Sequence, residues 1–149
     1  MRHEFILPHP INPYNLDRTF GYIIQLKARR LIYTFLVNKL YEIPFSNVYP
    51  AYVNKVERKG RSVEELREVI KWLTGFTEAS LNKQIKSQSS LREFFAAAKV
   101  NKNASLITGT ICGVKIQEIE DPLMLKIRYL DKLVDELAKG LPMEKILRS

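Results

Sequence analysis

The residues best placed to do chemistry fall in three groups. Lys55, Arg58, Lys59 and Arg61 crowd around Gly60, with Tyr49 and Tyr52 before them and Lys71-Trp72 after. Cations at that spacing, at a short turn between two helices, can hold phosphate through their side chains and through the helix N-terminus that opens at Ser62. Aromatic rings close by can stack on bases. Against this, Glu57, Glu64, Glu65 and Glu68 dilute the positive field, and the second helix lacks a clear base-reading face. Tyr52 and Trp72 also fall where a core is expected. The second group, Glu118, Glu120 and Asp121, is an acidic cluster that could serve as a hard-cation site or a general acid/base pair. On a helix, 118 and 121 share a face while 120 points elsewhere, so local geometry alone does not converge them. A solvated face plus an N-cap is the plainer reading. The third is Cys112, the single cysteine, which its neighbours Ile111 and Val114 mark as a buried, inert thiol.

Other chemistries are excluded. Both histidines, His3 and His9, lie near the N-terminus, so from residue 38 onward there is none. Ser-His-Asp and Cys-His nucleophilic machinery is then out of reach, as are ordinary zinc sites. Neither GxxxxGK[ST] nor GxGxxG occurs. Gly109 and Gly113 fit GxxxG, a sign of close packing more than of a ligand loop. No cofactor and no metal are expected. The net charge of +8 permits binding to nucleic acid without demanding it. One cysteine allows no intrachain disulfide, which fits a reducing cytoplasm. No apolar run reaches the ~18 residues needed to span a bilayer, so no membrane partner is expected. The longest run, LIYTFLV at 31–37, has no good cleavage site behind it, so neither is export.

The elements that must position these residues are punctuated regularly. Asp121-Pro122 reads as an N-cap with proline at the first helical position, and Gly140 then Pro142 as a stop. Between them apolar residues at 123, 127, 130, 134 and 137 step by threes and fours, which predicts a helix of about 18 residues and about 27 Å. This is read as the central core helix, with Asp131, Lys132, Asp135, Glu136 and Lys139 on its polar side. Ser62 with Glu65, and Ser90 with Glu93, are capping boxes; Thr77 caps a further helix, and Gly60 and Gly75 are stops. Ser46 or Asn47 is read as the cap of a helix through residue 59, with Pro50 in its first turn. Residues 39–45 alternate and suggest a short edge strand or an extended lead-in. The stretch 106–114 (LITGTICGV) reads as helix or strand; its apolar steps favour helix, although two glycines cost a helix about 2 kcal/mol.

The first 36 residues read differently. Pro8, Pro10 and Pro13 make their start extended or looped, and 18–36 has helical potential. From residue 38 on, by contrast, the strings VYP (48–50), ERKGR (57–61), WLTG (72–75), IEDPLM (119–124) and RYLDKLVDELAKG (128–140) resemble a small bacterial family catalogued as a domain of unknown function, DUF twenty-two-hundred. The resemblance implies a small stand-alone cytoplasmic protein, and it brings no catalytic residues or cofactor. Residues 1–36 have no counterpart in it. Translation is therefore expected to start at Val37, with the upstream segment an artefact of the gene model; a native intact mass near 17.3 kDa would sink that expectation.

Together these readings predict an all-α or mainly α protein: a compact bundle of five to six helices around a long C-terminal helix, with at most one short strand. It forms one globular domain over 38–149, with 1–36 as an N-terminal extension. The expected function is that of a small cytoplasmic binding or interaction module without catalytic machinery, able to self-associate through the glycine groove or through Leu125 and Tyr129. The alternatives are a nucleic-acid or phosphate binder using the basic turn at 55–61, and an enzyme using the 118–121 carboxylates.

Overall fold

A computed structural model describes residues 16–149, with side chains from residue 26. The prolines of the first stretch, His3 and His9 lie outside the described residues. The chain divides into two units between Tyr41 and Glu42. The first contains α1 (Leu16–Tyr41). The second holds the remaining elements: α2 (Phe45–Glu57), α3 (Val63–Thr74), α4 (Glu78–Lys86), α5 (Leu91–Ala97), a hairpin of β1 (Thr110–Ile111) and β2 (Val114–Lys115), α6 (Pro122–Ala138) and α7 (Met143–Ile146). The described protein is thus mainly helical with one small sheet, as its spacing predicts.

Helix α6 is the centre of the second unit. It packs against α2, α3, α5, α7 and the hairpin. Its start follows from two residues: Asp121 Oδ1 accepts from the backbone N–H of Leu123 at 2.9 Å and of Met124 at 3.1 Å, and Pro122 has no N–H to leave unmet. Leu130, Leu133, Val134 and Leu137 form its buried stripe, against Leu66, Ile70 and Leu73 on the amphipathic face of α3. Helices α3, α4 and α5 each open on a reciprocal capping box, at Ser62, Thr77 and Ser90. In α5 that cap is needed, because seven residues form too short a helix to stand alone in water. Its other support is an aromatic cluster. Phe94 stacks on Phe45 at 4.0 Å between centroids and takes Phe95 and Phe76 edge-on at 5.0 and 5.2 Å.

Five expectations are corrected. First, residues 39–41 belong to α1, and no edge strand forms. Only Pro44 is extended, in a single antiparallel bridge with Ser90, because the alternating run is too short to pair further. Second, α2 begins at Phe45 with Pro44 as its N-cap and no side-chain cap, so Ser46 and Asn47 lie inside it. Pro50 is then past the first turn, and its missing N–H is the one the Ser46 carbonyl would have met. Third, 106–114 is not a helix. A 3-10 turn (Lys102–Leu106) leads into the hairpin, whose two-residue loop has positive φ at both Cys112 (51°) and Gly113 (76°), the pattern that matches strand twist. Fourth, the glycines make no groove: a Cβ on Gly113 would meet nothing within 4 Å, and one on Gly109 only the end of Lys132. Fifth, Cys112, at the turn, is exposed rather than buried.

Candidate functional site

The basic turn joins α2 to α3. Backbone N–H groups of Lys59 and Arg61 both donate to the Val56 carbonyl, and Gly60 takes φ 77°, so the chain reverses within five residues. The four cations predicted from sequence have different fates. The Arg61 guanidinium donates to both Glu65 carboxylate oxygens (3.0 and 2.8 Å) and to the backbone carbonyl of Leu141 (2.8 Å), with a longer bond to that of Leu137 (3.4 Å). It therefore closes the C-terminus of α6 onto the start of α3. The bond from Arg61, then the Ser62 backbone N–H, holds the Glu65 carboxyl below the usual range. The N-terminus of α3 is likewise occupied, by Ser62 and Glu65 capping each other at 3.1 and 2.9 Å. Arg58 and Lys59 are exposed.

Two matched pairs lock α2 to α6. The Tyr52 hydroxyl donates to Asp131 at 2.6 Å, and the Lys55 ammonium meets Asp135 at 3.2 Å. Burial, then the Asp131 carboxylate, pushes the Tyr52 phenol well above its ordinary value. Asp131 is also held by Arg128 at 3.0 Å. Tyr49 is buried beside Phe45, and its hydroxyl accepts from Arg67 at 3.4 Å. Tyr49 is thus buried, and half-buried Tyr52 is tied to α6 through its hydroxyl, so neither stands free as a stacking platform.

Asp135 carries a second cation, Lys139, at 2.8 Å. Burial raises the Asp135 carboxyl, but its hydrogen bonds to Lys139 and Lys55 outweigh this and leave it below the usual range. Two ammonium groups thus share one carboxylate, and both remain substantially exposed, with 44% of the Lys55 side chain and 65% of Lys139 open to solvent. The contact of Arg61 with Leu141 brings the basic turn beside this end of α6. The result is an exposed corner of Lys55, Arg58, Lys59 and Lys139. Sequence reasoning left Lys139 out and placed Arg61 in the binding set. The available signal was the Ser62–Glu65 capping box, which puts a carboxylate within reach of Arg61.

The acidic cluster is differently arranged. Glu118 ends a 3-10 turn (Ile116–Glu118) and lies 3.9 Å from Lys115, Glu120 is exposed, and an Asp121 oxygen caps α6. Among the described residues no group of three or more His, Cys, Asp or Glu is placed to hold a metal ion.

Replacing Arg61 by alanine is expected to destabilise the protein by roughly 2 kcal/mol, because carbonyls at the end of α6 lose a charged donor. Arg61→Lys should recover only part of this, since an ammonium cannot fork between the carboxylate and the carbonyls. Urea unfolding midpoints measure both; an alanine variant as stable as the parent would remove Arg61 from the structural account.

The fold and this corner define a small helical protein with a cationic surface. The chain belongs to the family described as "Uncharacterized protein conserved in bacteria (DUF2200)", whose model matches residues 39–148. All but the last turn of α1 precedes the matched residues. Among solved structures, the chain is similar to "Crystal structure of uncharacterized protein SP1917", with 44% sequence identity, a TM-score of 0.70 and coverage of 73% of this chain and 90% of that one. No curated protein matches the chain.

Proposed function

We propose that the protein is a binding module of the cytoplasm whose working unit is residues 38–149, and that its binding surface is the basic corner, directed at phosphate groups such as those of a nucleic-acid backbone. The observation that carries this reading is the Lys55–Asp135–Lys139 arrangement beside exposed Arg58 and Lys59. One carboxylate shared by two ammonium groups leaves the corner net positive and open, where an anion can replace solvent. A binding role is favoured over catalysis because Glu65, Asp121, Asp131 and Asp135 each already hold a structural contact. An enzyme built on Glu118, Glu120 and Asp121 has less support, since Asp121 is engaged as a cap and Glu120 stands exposed.

With Tyr49 and Tyr52 turned inward, recognition rests on phosphate contacts and is indifferent to base sequence. Titration of the full chain with short DNA and RNA should therefore show affinity that falls with salt at a log–log slope of about −3 to −4, as four phosphate contacts require. Arg58→Ala with Lys59→Ala removes two contacts and should reduce the slope by about 2 while leaving the fold intact. Fluorescence anisotropy reads both. Absence of binding at low salt, or binding that the double variant leaves unchanged, would overturn the proposal.

A further inference from the structure

The second half of α1 carries Ala28, Leu31, Ile32, Phe35 and Leu36, steps of three and four that place them on one face. This face is uncovered: Leu31 is 71% exposed, and Ile32, Phe35 and Leu36 are each 59% exposed. The rest of the helix surface carries Lys27, Arg29, Arg30 and Thr34, together with Tyr33, which is 63% exposed. Lys39 closes the stripe, its ammonium 5.0 Å above the Phe35 ring. From Arg18 to Tyr41 the helix has five basic residues and no acidic one.

We infer that this face of α1 seats on an anionic lipid surface. No helix among the described residues is long and apolar enough to cross a membrane, so the fit is that of a helix lying in the interface, apolar side down and cations toward the headgroups. Charge selects this occupant over a second copy of the chain. Five basic residues against one acidic, Asp17, leave each α1 with a net charge of 5 − 1 = +4, so two copies repel each other, whereas anionic headgroups supply the complement. A nucleic-acid backbone would meet the cations but leave the apolar stripe unused.

The test is co-sedimentation of the full chain with phosphatidylcholine vesicles, with and without phosphatidylserine. Binding is expected only with phosphatidylserine, and it should weaken with salt. Leu31→Asp with Phe35→Asp should reduce partitioning at least about tenfold; both residues are exposed, so the change removes no buried contact. Arg58→Ala with Lys59→Ala, which removes cations but no part of the stripe, should reduce partitioning far less than the α1 variant does. No binding at low salt, equal binding to neutral vesicles, or a loss that follows the turn variant rather than the α1 variant would overturn the inference. So would light scattering that shows a lipid-free dimer dissolved by the α1 variant, or a native intact mass lacking residues 1–36, which contain the stripe.

Discussion

Phe94→Ala is expected to lower stability by about 3–5 kcal/mol, the largest effect of any single substitution considered. The ring is fully buried and touches three others: Phe45 face to face, Phe95 and Phe76 edge-on. Truncation loses the transfer energy of a phenyl ring and leaves a cavity walled by aromatic rings that cannot easily collapse. It also removes the largest anchor of α5, which is otherwise held by its cap, by the Leu91 backbone N–H donating to the Ile43 carbonyl at 2.9 Å, by the Arg92–Glu42 pair and by buried Leu91 and Phe95. For a unit of this size the midpoint of thermal unfolding should fall by more than about 10 °C. A loss below about 1 kcal/mol would mean that the rings close over the gap and that the cluster does not anchor the helix.

Arg148→Ala is the second. The Arg148 guanidinium makes a forked pair with Glu136 at 2.9 and 2.6 Å, and only 9% of the Glu136 side chain is exposed. The same arginine donates to the Ile146 carbonyl, and its own carbonyl accepts from the Asn103 amide at 3.2 Å. Removing the side chain leaves a carboxylate held against the core without a counter-ion, which costs about 3 kcal/mol where the geometry cannot relax. Adding Glu136→Gln should restore part of the loss, because a neutral amide is cheaper to bury than an unpaired charge. Urea unfolding of the single and double variants separates the terms. If Arg148→Ala stays within about 0.5 kcal/mol of the parent, the pair behaves as a surface ion pair, and the C-terminal segment is held by buried Ile146 and the Asn103 amide.

Signals confined to a few neighbouring residues were legible in the sequence. The capping boxes at Ser62 and Ser90, the Asp121-Pro122 start and the Gly75 stop all sit where the residue types demand, because each is completed within four positions. Helix α6 was legible for a related reason: its stripe is long enough to average out local ambiguity. The 106–114 stretch was not, since its apolar steps suit a helix, while the positive φ at Cys112 and Gly113 becomes evident only when the strands pair. Pro44 misled in the same way, its extended conformation serving to start a helix. In the basic corner, Lys55, Arg58 and Lys59 were found because they cluster along the chain. The inward turn of Tyr52 was missed because its partner, Asp131, lies on another helix, 79 residues away; Lys139 was missed because its own partner Asp135 is local, and it joins the corner only through Lys55, which reaches Asp135 across 80 residues. What reads as a solvated stripe on α6 is the face that receives α2.

The position of α6 along the chain also governs the order in which the molecule can be made. Synthesis proceeds from the N-terminus, so α2, α3 and α5 emerge from the ribosome before the helix that covers their apolar faces. Leu66, Ile70 and Leu73 have no α6 to close on until residues 122–138 are translated. The nascent chain therefore passes through a stage with its helices capped and its core open, and the second unit reaches its final packing only when translation is nearly complete. Premature termination anywhere before Pro122 leaves a product with that apolar surface uncovered, a substrate for chaperones and proteases rather than a smaller working domain.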